Sequence, residues 1–224
     1  MQQQDCQNKF SKTFPFWGDL SSQDQQLICQ NTSLQHYPKG SLIHDGNNCT
    51  GAIVVDTGCL RVYLQPDQGR EITLYRLFPK DICMLSASCV LEAITFDVAI
   101  DAEEDSTCHL IAGGIFADVA EKNLSMKNFA LETAVARFSD VMWVMQQILF
   151  MSFDRRLAIF LWDEMVKTGS DSIRMTHEQI ARYMGSAREV VSRMVKYFAA
   201  EGIVETSRGG LRILDRKKLK RLAL

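Results

Sequence analysis

Between Thr176 and Val204 the chain reads THEQIARYMGSAREVVSRMVKYFAAEGIV, and the spacing of its capping residues and glycines leaves little choice of fold. Thr176 and Gln179 have the spacing of a capping box, in which a hydroxyl and an amide side chain each satisfy an orphan backbone N–H at a helix start. Ile180, Ala181 and Met184 then place apolar side chains on one helical face. Gly185 can adopt the left-handed geometry that ends a helix. Ser186 and Glu189 repeat the capping pattern, so a second helix is expected to begin almost at once. Its apolar side is Val190, Val191, Met194, Val195 and Phe198, and its polar side is Arg188, Glu189, Ser192, Arg193 and Lys196. Beyond Gly202, the runs Ile203 to Thr206 and Leu211 to Leu214 flank Ser207-Arg208-Gly209-Gly210, a hairpin with an arginine at its tip. The combination predicts a winged helix-turn-helix.

Such a motif sets its second helix in the major groove of duplex DNA. There an arginine in the first turn can donate two hydrogen bonds to guanine, and a glutamate can accept from cytosine N4. Arg188 and Glu189 stand at that turn. Lys196 is placed to meet a phosphate, which adds affinity without sequence information, and His177 is read as a second backbone contact. A capped helix pair with surface charges also occurs in proteins that never touch DNA. What separates this chain from them is the tandem of capping patterns followed by a basic hairpin. The candidate DNA-contacting set is Thr176, His177, Ser186, Arg188, Glu189, Ser192, Arg193, Lys196 and Arg208.

The charge distribution supports this reading, although the net charge of −2 does not. From Met151 onward there are 15 Lys/Arg against 9 Asp/Glu; from Met1 to Phe150 there are 10 against 18. A basic C-terminal part and an acidic N-terminal part imply that only the former meets a polyanion. The acidic part would be repelled from the DNA backbone, which helps orient docking. The length of 224 residues suits one large or two modest domains, and 46% hydrophobic residues are enough to build cores. The sequence has no apolar run long enough to span a membrane and no signal-peptide core in MQQQDCQNKFSK, so a cytoplasmic location is expected. Seven cysteines, an odd count with irregular spacing, suggest reduced thiols rather than a disulfide framework.

Ahead of the helix-turn-helix the pattern changes twice. Residues 2–33 suggest short helices and loops, with Phe14, Phe16 and Trp17 packing on the adjoining β-rich segment. From Leu34 to about Ala112, β-branched and aromatic segments (Ala52 to Val55, Leu60 to Leu64, Glu71 to Leu77, Ile94 to Ile100) alternate with turn signals. Examples of the turns are Pro38-Lys39-Gly40, Thr57-Gly58 and Pro79-Lys80-Asp81. That rhythm predicts a small all-β barrel or sandwich. A long helix is expected from Ser125 to Phe150, with Leu131, Val135, Phe138, Met142, Met145 and Leu149 forming a coiled-coil seam. Ala134, Val141 and Ile148 form a second apolar line. One line can pack on the β-domain and the other on a second copy of the chain. A homodimer is favoured because paired recognition helices read a two-fold symmetric operator. An ordinary buried helix is the alternative.

The run Arg188-Glu189-Val190-Val191-Ser192-Arg193, with Gly185 and Gly202, resembles the recognition-helix signature of the Crp/Fnr family of bacterial transcription regulators. The resemblance is specific after Phe150 and architectural before it. It implies an α+β chain: an N-terminal double-stranded β-roll sensor domain at 1–124, a dimerisation helix at 125–150, and a C-terminal winged helix-turn-helix at 151–224. It also implies that Arg188, Glu189 and Arg193 contact base edges, and that RNA polymerase is a partner if the protein is an activator.

Members of that family that bind cyclic nucleotides use a Glu for the ribose and an Arg for the phosphate. The corresponding window, Asp81 to Phe96, has no such Glu, and no Lys or Arg occurs from Asp81 to Ile111. A buried phosphate would lack its counter-charge there, so cyclic AMP is not expected. Cys6, Cys29 and Cys49 are too dispersed to resemble the clustered ligands of an iron–sulfur member. Cys83 and Cys89 bracket Met-Leu-Ser-Ala-Ser in the sensor window. They are read as packing cysteines, as a thiol switch or soft metal ligands, or as haem ligands with His36, His44 or His109. An uncharged organic effector also fits. The sequence contains no phosphate loop, His-Glu-x-x-His or Gly-x-Ser-x-Gly, so it does not suggest an enzyme. The competing reading is a ligand-independent DNA binder.

Overall fold

The computed structural model describes residues 3–46, 49–65, 70–86 and 98–224. Residues 47–48, 66–69 and 87–97 lie outside them, and with the last go Cys89, the whole sensor window after Ser86 and the start of the expected segment Ile94 to Ile100. The chain divides into two compact units, residues 1–64 with 74–141 and residues 65–73 with 142–224.

The first unit opens with helices α1 (Gln3–Thr13) and α2 (Ser22–Gln30), separated by a short 3-10 turn at Trp17–Asp19. Ser21 caps α2 by accepting from the Asp24 N–H. Strands β1 (Thr32–Tyr37), β2 (Leu42–His44), β3 (Ala52–Thr57), β4 (Leu60–Leu64), β5 (Ile72–Leu77), β6 (Ile82–Cys83), β7 (Ala99–Ala102) and β8 (Ser106–Ile111) come next. They form two four-stranded sheets, in the orders β1-β8-β3-β6 and β2-β7-β4-β5. Val54 and Val55 of β3 lie opposite His109 and Cys108 of β8 in an antiparallel ladder. The turn between β3 and β4 depends on Gly58, whose φ is +84°. A Cβ there would sit 2.3 Å from Ser106 Oγ and 2.5 Å from the Asp105 carbonyl oxygen, so no side chain fits.

Two apolar clusters hold this unit. Ile53, Val55, Leu60, Val62, Leu74, Leu77, Cys83, Ile100 and Cys108 pack together as the core of the β-roll. Phe10 joins Phe14, Phe16 and Trp17, the three aromatics expected to pack here, against Ile111, Phe116, Val119 and Met126. The last three belong to helices α3 (Gly113–Lys122) and α4 (Leu124–Phe150).

The cysteines depart from expectation. Cys6 of α1 and Cys29 of α2 form a disulfide with a Cα–Cα distance of 5.8 Å, and Cys49 is disulfide-bonded as well. The expectation of reduced thiols rests on spacing along the chain. Spacing does not show that α1 lies against α2 and brings residues 23 apart within bonding reach. Cys59, Cys83 and Cys108 are buried thiols outside any disulfide.

Helix α4 runs unbroken for 27 residues, and the division between the units falls inside it. All six seam residues are exposed, from 37% at Met142 to 65% at Val135. Val141, on the second line, packs instead against the β-roll core. Among the described residues, no helix is long and apolar enough to cross a membrane.

In the second unit, α4 gives way to α5 (Phe153–Thr168), succeeded by β9 (Ser172–Ile173), α6 (His177–Met184) and α7 (Arg188–Ala200). Strands β10 (Val204–Ser207) and β11 (Gly210–Ile213) and helix α8 (Arg216–Ala223) complete it. Its core joins Leu157 and Leu161 of α5, Ile180 and Met184 of α6, and Val191, Val195 and Phe198 of α7 to Leu211, Ile213 and Leu219. The basic tail is an amphipathic helix. Leu219 is buried, and Asp215 caps the first turn by accepting from the Lys217 and Lys218 N–H groups.

Candidate nucleic-acid interface

The helix pair is built from its caps. At the start of α6 the Gln179 N–H donates to Thr176 Oγ1 at 3.2 Å and the Thr176 N–H donates to Gln179 Oε1 at 2.8 Å, so the capping box is complete. At its end Gly185 has φ +57°. The Ser186 N–H donates to the Ala181 carbonyl at 3.0 Å and the Gly185 N–H to the Arg182 carbonyl at 3.4 Å. This is the paired closure of a Schellman motif.

That closure overturns the second capping box. Ser186 is the exit residue of α6, and α7 begins one position later, with Ala187 as N-cap and no side-chain cap. Ser186 therefore positions the turn, while Glu189 keeps its carboxylate exposed. Arg156 of α5 fastens the corner by donating to the Met184 carbonyl, and Phe160 stacks on Tyr183 at 5.4 Å.

Helix α7 is clamped along Val191, Val195 and Phe198, all fully buried. This anchorage turns Arg188, Glu189, Arg193 and Lys196 outward, and all four are exposed; Ser192 is half-buried between the two faces. Among the described residues these four side chains make no hydrogen bond or ion pair, so their charges remain available to a partner. The wing is a three-stranded sheet in the order β10-β11-β9. Ser207 pairs with Gly210, leaving Arg208 and Gly209 at the tip, where Gly209 has φ +83° and Arg208 is exposed. Strand β9 has no counterpart in the expectations from sequence. It is two residues long and is held through Leu211↔Ile173 and Arg212↔Ser172. Two residues are too few to show a periodicity.

An open groove of about 420 Å³ lies between these parts, lined by Thr176, His177 and Glu178 of the α6 start, Arg188 of α7, and Thr206 and Ser207 of the wing. It brings together Thr176, His177 and Arg188. Ser192, Arg193, Lys196 and Arg208 do not line it, nor does Glu189. Sequence reasoning misses Thr206 and Ser207. In sequence Thr206 reads as the end of a strand and Ser207 as part of the hairpin turn, and the pairing with β11 carries both to the groove. His177 is half-buried, and its pKa is lowered by burial first and by the Arg188 and Lys196 charges second. At neutral pH it is a neutral ring in a positive field.

The sensor candidate Cys83 is fully buried, and burial pushes its thiol pKa up. A reactive thiol needs exposure and a lowered pKa, so Cys83 has the environment of a packing cysteine. Arg61 and Arg76, which β4 and β5 contribute to the β-roll, are paired with Asp101 at 2.7 Å and Glu103 at 2.9 Å. Among the described residues no group of three or more His, Cys, Asp or Glu is arranged to hold a metal.

A capped helix pair, an outward basic helix face and a wing define a winged helix-turn-helix DNA-binding protein. The description of a Crp-like helix-turn-helix domain matches residues 155–222. The structure of a regulator from Eubacterium rectale, described as belonging to the Crp/Fnr family, is 45% identical and superposes with a TM-score of 0.90, covering 95% of this chain and 99% of that one. FixK2 from Bradyrhizobium japonicum has the same fold at 18% identity, with a TM-score of 0.69 over 86% of this chain and 98% of its own. The transcriptional regulator SdrP from Thermus thermophilus is 36% identical over 55 residues, which span 25% of this chain and only 27% of SdrP. The chain belongs to the Crp/Fnr family of transcription regulators.

Proposed function

We propose that this regulator binds a two-fold symmetric DNA operator as a homodimer, with α7 of each copy in a major groove. The observation that carries the proposal is the outward set Arg188, Glu189, Arg193 and Lys196 on a helix whose opposite face is locked into the core. Arg188, Glu189 and Arg193 read base edges. Lys196, Thr176, His177 and Arg208 meet phosphates, while Ser186 and Ser192 shape and flank the reading face. The exposed seam of α4 is the surface that a second copy covers, which sets two reading heads on one duplex. The protein works beside DNA in the cytoplasm and contacts RNA polymerase if it activates.

The effector acts through the β-roll. An anionic nucleotide is disfavoured, because segment 81–111 brings no Lys or Arg, and Arg61 and Arg76 already have acidic partners. An uncharged organic ligand suits the apolar core better, and a thiol signal remains the second input. Haem and a bound metal are the lesser alternatives.

The test is operator selection from random duplexes, followed by affinity measurements on Arg188→Ala and Glu189→Ala. The expected result is a loss of discrimination of about 1–3 kcal/mol at particular base pairs. An equal loss on every sequence would instead support a ligand-independent architectural binder, whose affinity comes from phosphates alone.

A further inference from the structure

Helix α1 is held to the molecule by very little. Its sequence, QQDCQNKFSKT, is polar, and among its described side chains only Cys6 and Phe10 are buried. Lys9 adds an ion pair with Asp56. An isolated helix of 11 residues is marginal in water, so these anchors decide whether α1 stays folded and docked. One of the two apolar anchors is half of the disulfide to Cys29.

What α1 supports leads directly to the exposed seam. Phe10 contacts Phe14 and Trp17 edge to face at 5.0 and 5.4 Å. Phe14 and Phe16 in turn hold Phe129 of α4 at 5.9 and 5.1 Å. Phe129 lies two positions before Leu131, the first residue of the seam. The compartment points the same way. A protein that works on cytoplasmic DNA sits among reducing thiols, where disulfides are characteristically transient and redox-sensing rather than structural.

We propose that Cys6 and Cys29 form a reversible thiol–disulfide switch, and that it is the redox input of this regulator in place of the buried Cys83. A dithiol reductant donates the electrons. Its thiolate attacks the Sγ of Cys29, the less buried of the two residues at 7% exposure against 0%, and expels the Cys6 thiolate, which takes up a proton. The second thiol of the reductant resolves the mixed disulfide. The products are two protein thiols and one cyclic disulfide of the reductant. Oxidised dithiol reverses the exchange. In the bridged form α1 is pinned to α2 and braces the aromatic cluster under the start of α4. In the dithiol form α1 loses its covalent tie and is held by the buried Cys6 and Phe10 side chains and the Lys9–Asp56 pair alone, and the brace loosens.

The proposal rests on the operator-binding reading for its output and is tested in two independent arms. Full-length protein is equilibrated with oxidised or reduced dithiothreitol, and thiol alkylation with mass measurement reads the state of Cys6 and Cys29. In the first arm, trypsin cleavage after the exposed Lys12 is timed. Reduction is expected to accelerate it roughly tenfold or more, and Cys6→Ser is expected to cleave fast in both buffers. In the second arm, operator affinity is expected to change severalfold on reduction in the native chain and in Cys83→Ser, but not in Cys6→Ser or Cys29→Ser. Alkylatable Cys6 and Cys29 in the oxidised buffer, or a trypsin rate indifferent to reduction, overturns the switch. An affinity response that survives in Cys6→Ser, whether it comes from Cys83 or from the second disulfide at Cys49, overturns it equally. If neither form binds DNA, the operator reading fails, and the alkylation and trypsin arm still decides the switch.

Discussion

Single side chains at the head of α6 are expected to set both the stability of the second unit and the pH response of its proposed DNA binding. Thr176 closes the capping box, and Thr176→Ala should lower the stability of the second unit by about 1 kcal/mol, seen as a fall in its thermal midpoint. His177 beside it has a lowered pKa in the free protein. A phosphate against its ring would favour the protonated form, so the pKa in the complex lies above that in the free protein. Binding then takes up protons, and operator affinity should rise as the pH falls through the pKa of the complex. His177→Gln should flatten that dependence, as read by operator titrations between pH 5.5 and pH 8 (about the range over which an imidazole titrates). An unchanged slope would remove His177 from the phosphate contacts.

Elements differ in how much of them can be read from sequence. Helix α6 is legible at both ends because its signals are local: Thr176 with Gln179, and a glycine at the exit. The start of α7 misleads because the same residue types serve two purposes. Ser186 has the spacing of a cap, yet its N–H is already committed to the Ala181 carbonyl. The Cys6–Cys29 bridge has no local signature, since it depends on two helices meeting. The seam of α4 is legible because its period repeats over nearly the whole helix, and all six residues do face outward. A charge in that seam should be excluded from a helix pairing. Phe138→Glu is therefore expected to shift the chain to monomer in sedimentation, with loss of operator affinity, while far-ultraviolet circular dichroism is retained. A dimer that survives the substitution would point to another surface.

Across the whole molecule, charge is distributed unevenly, and affinity should reflect that. The residues after Phe150 carry the excess of Lys and Arg, whereas those before Met151 are acidic. Binding by the basic part alone predicts a steep inverse dependence of affinity on salt. Replacing Lys196 or Arg208 with Gln should each reduce the slope of log affinity against log salt by roughly 0.9 for every phosphate no longer neutralised, with little change in sequence preference. Arg188→Ala should do the opposite, changing preference more than slope. Base reading and phosphate binding are thereby separable in one set of titrations.

The Gly185 turn has a consequence for how such a regulator diversifies. The angle between α6 and α7 is fixed by main-chain hydrogen bonds from Gly185 and Ser186 and by the buried Val191, Val195 and Phe198. None of these atoms belongs to an outward side chain. If the outward face of α7 reads DNA as proposed, it would behave as an exchangeable cassette: outward residues could be rewritten, and with them the DNA text recognised, without rebuilding the frame. Gly185 itself has no such freedom, because its left-handed backbone strains any residue with a Cβ.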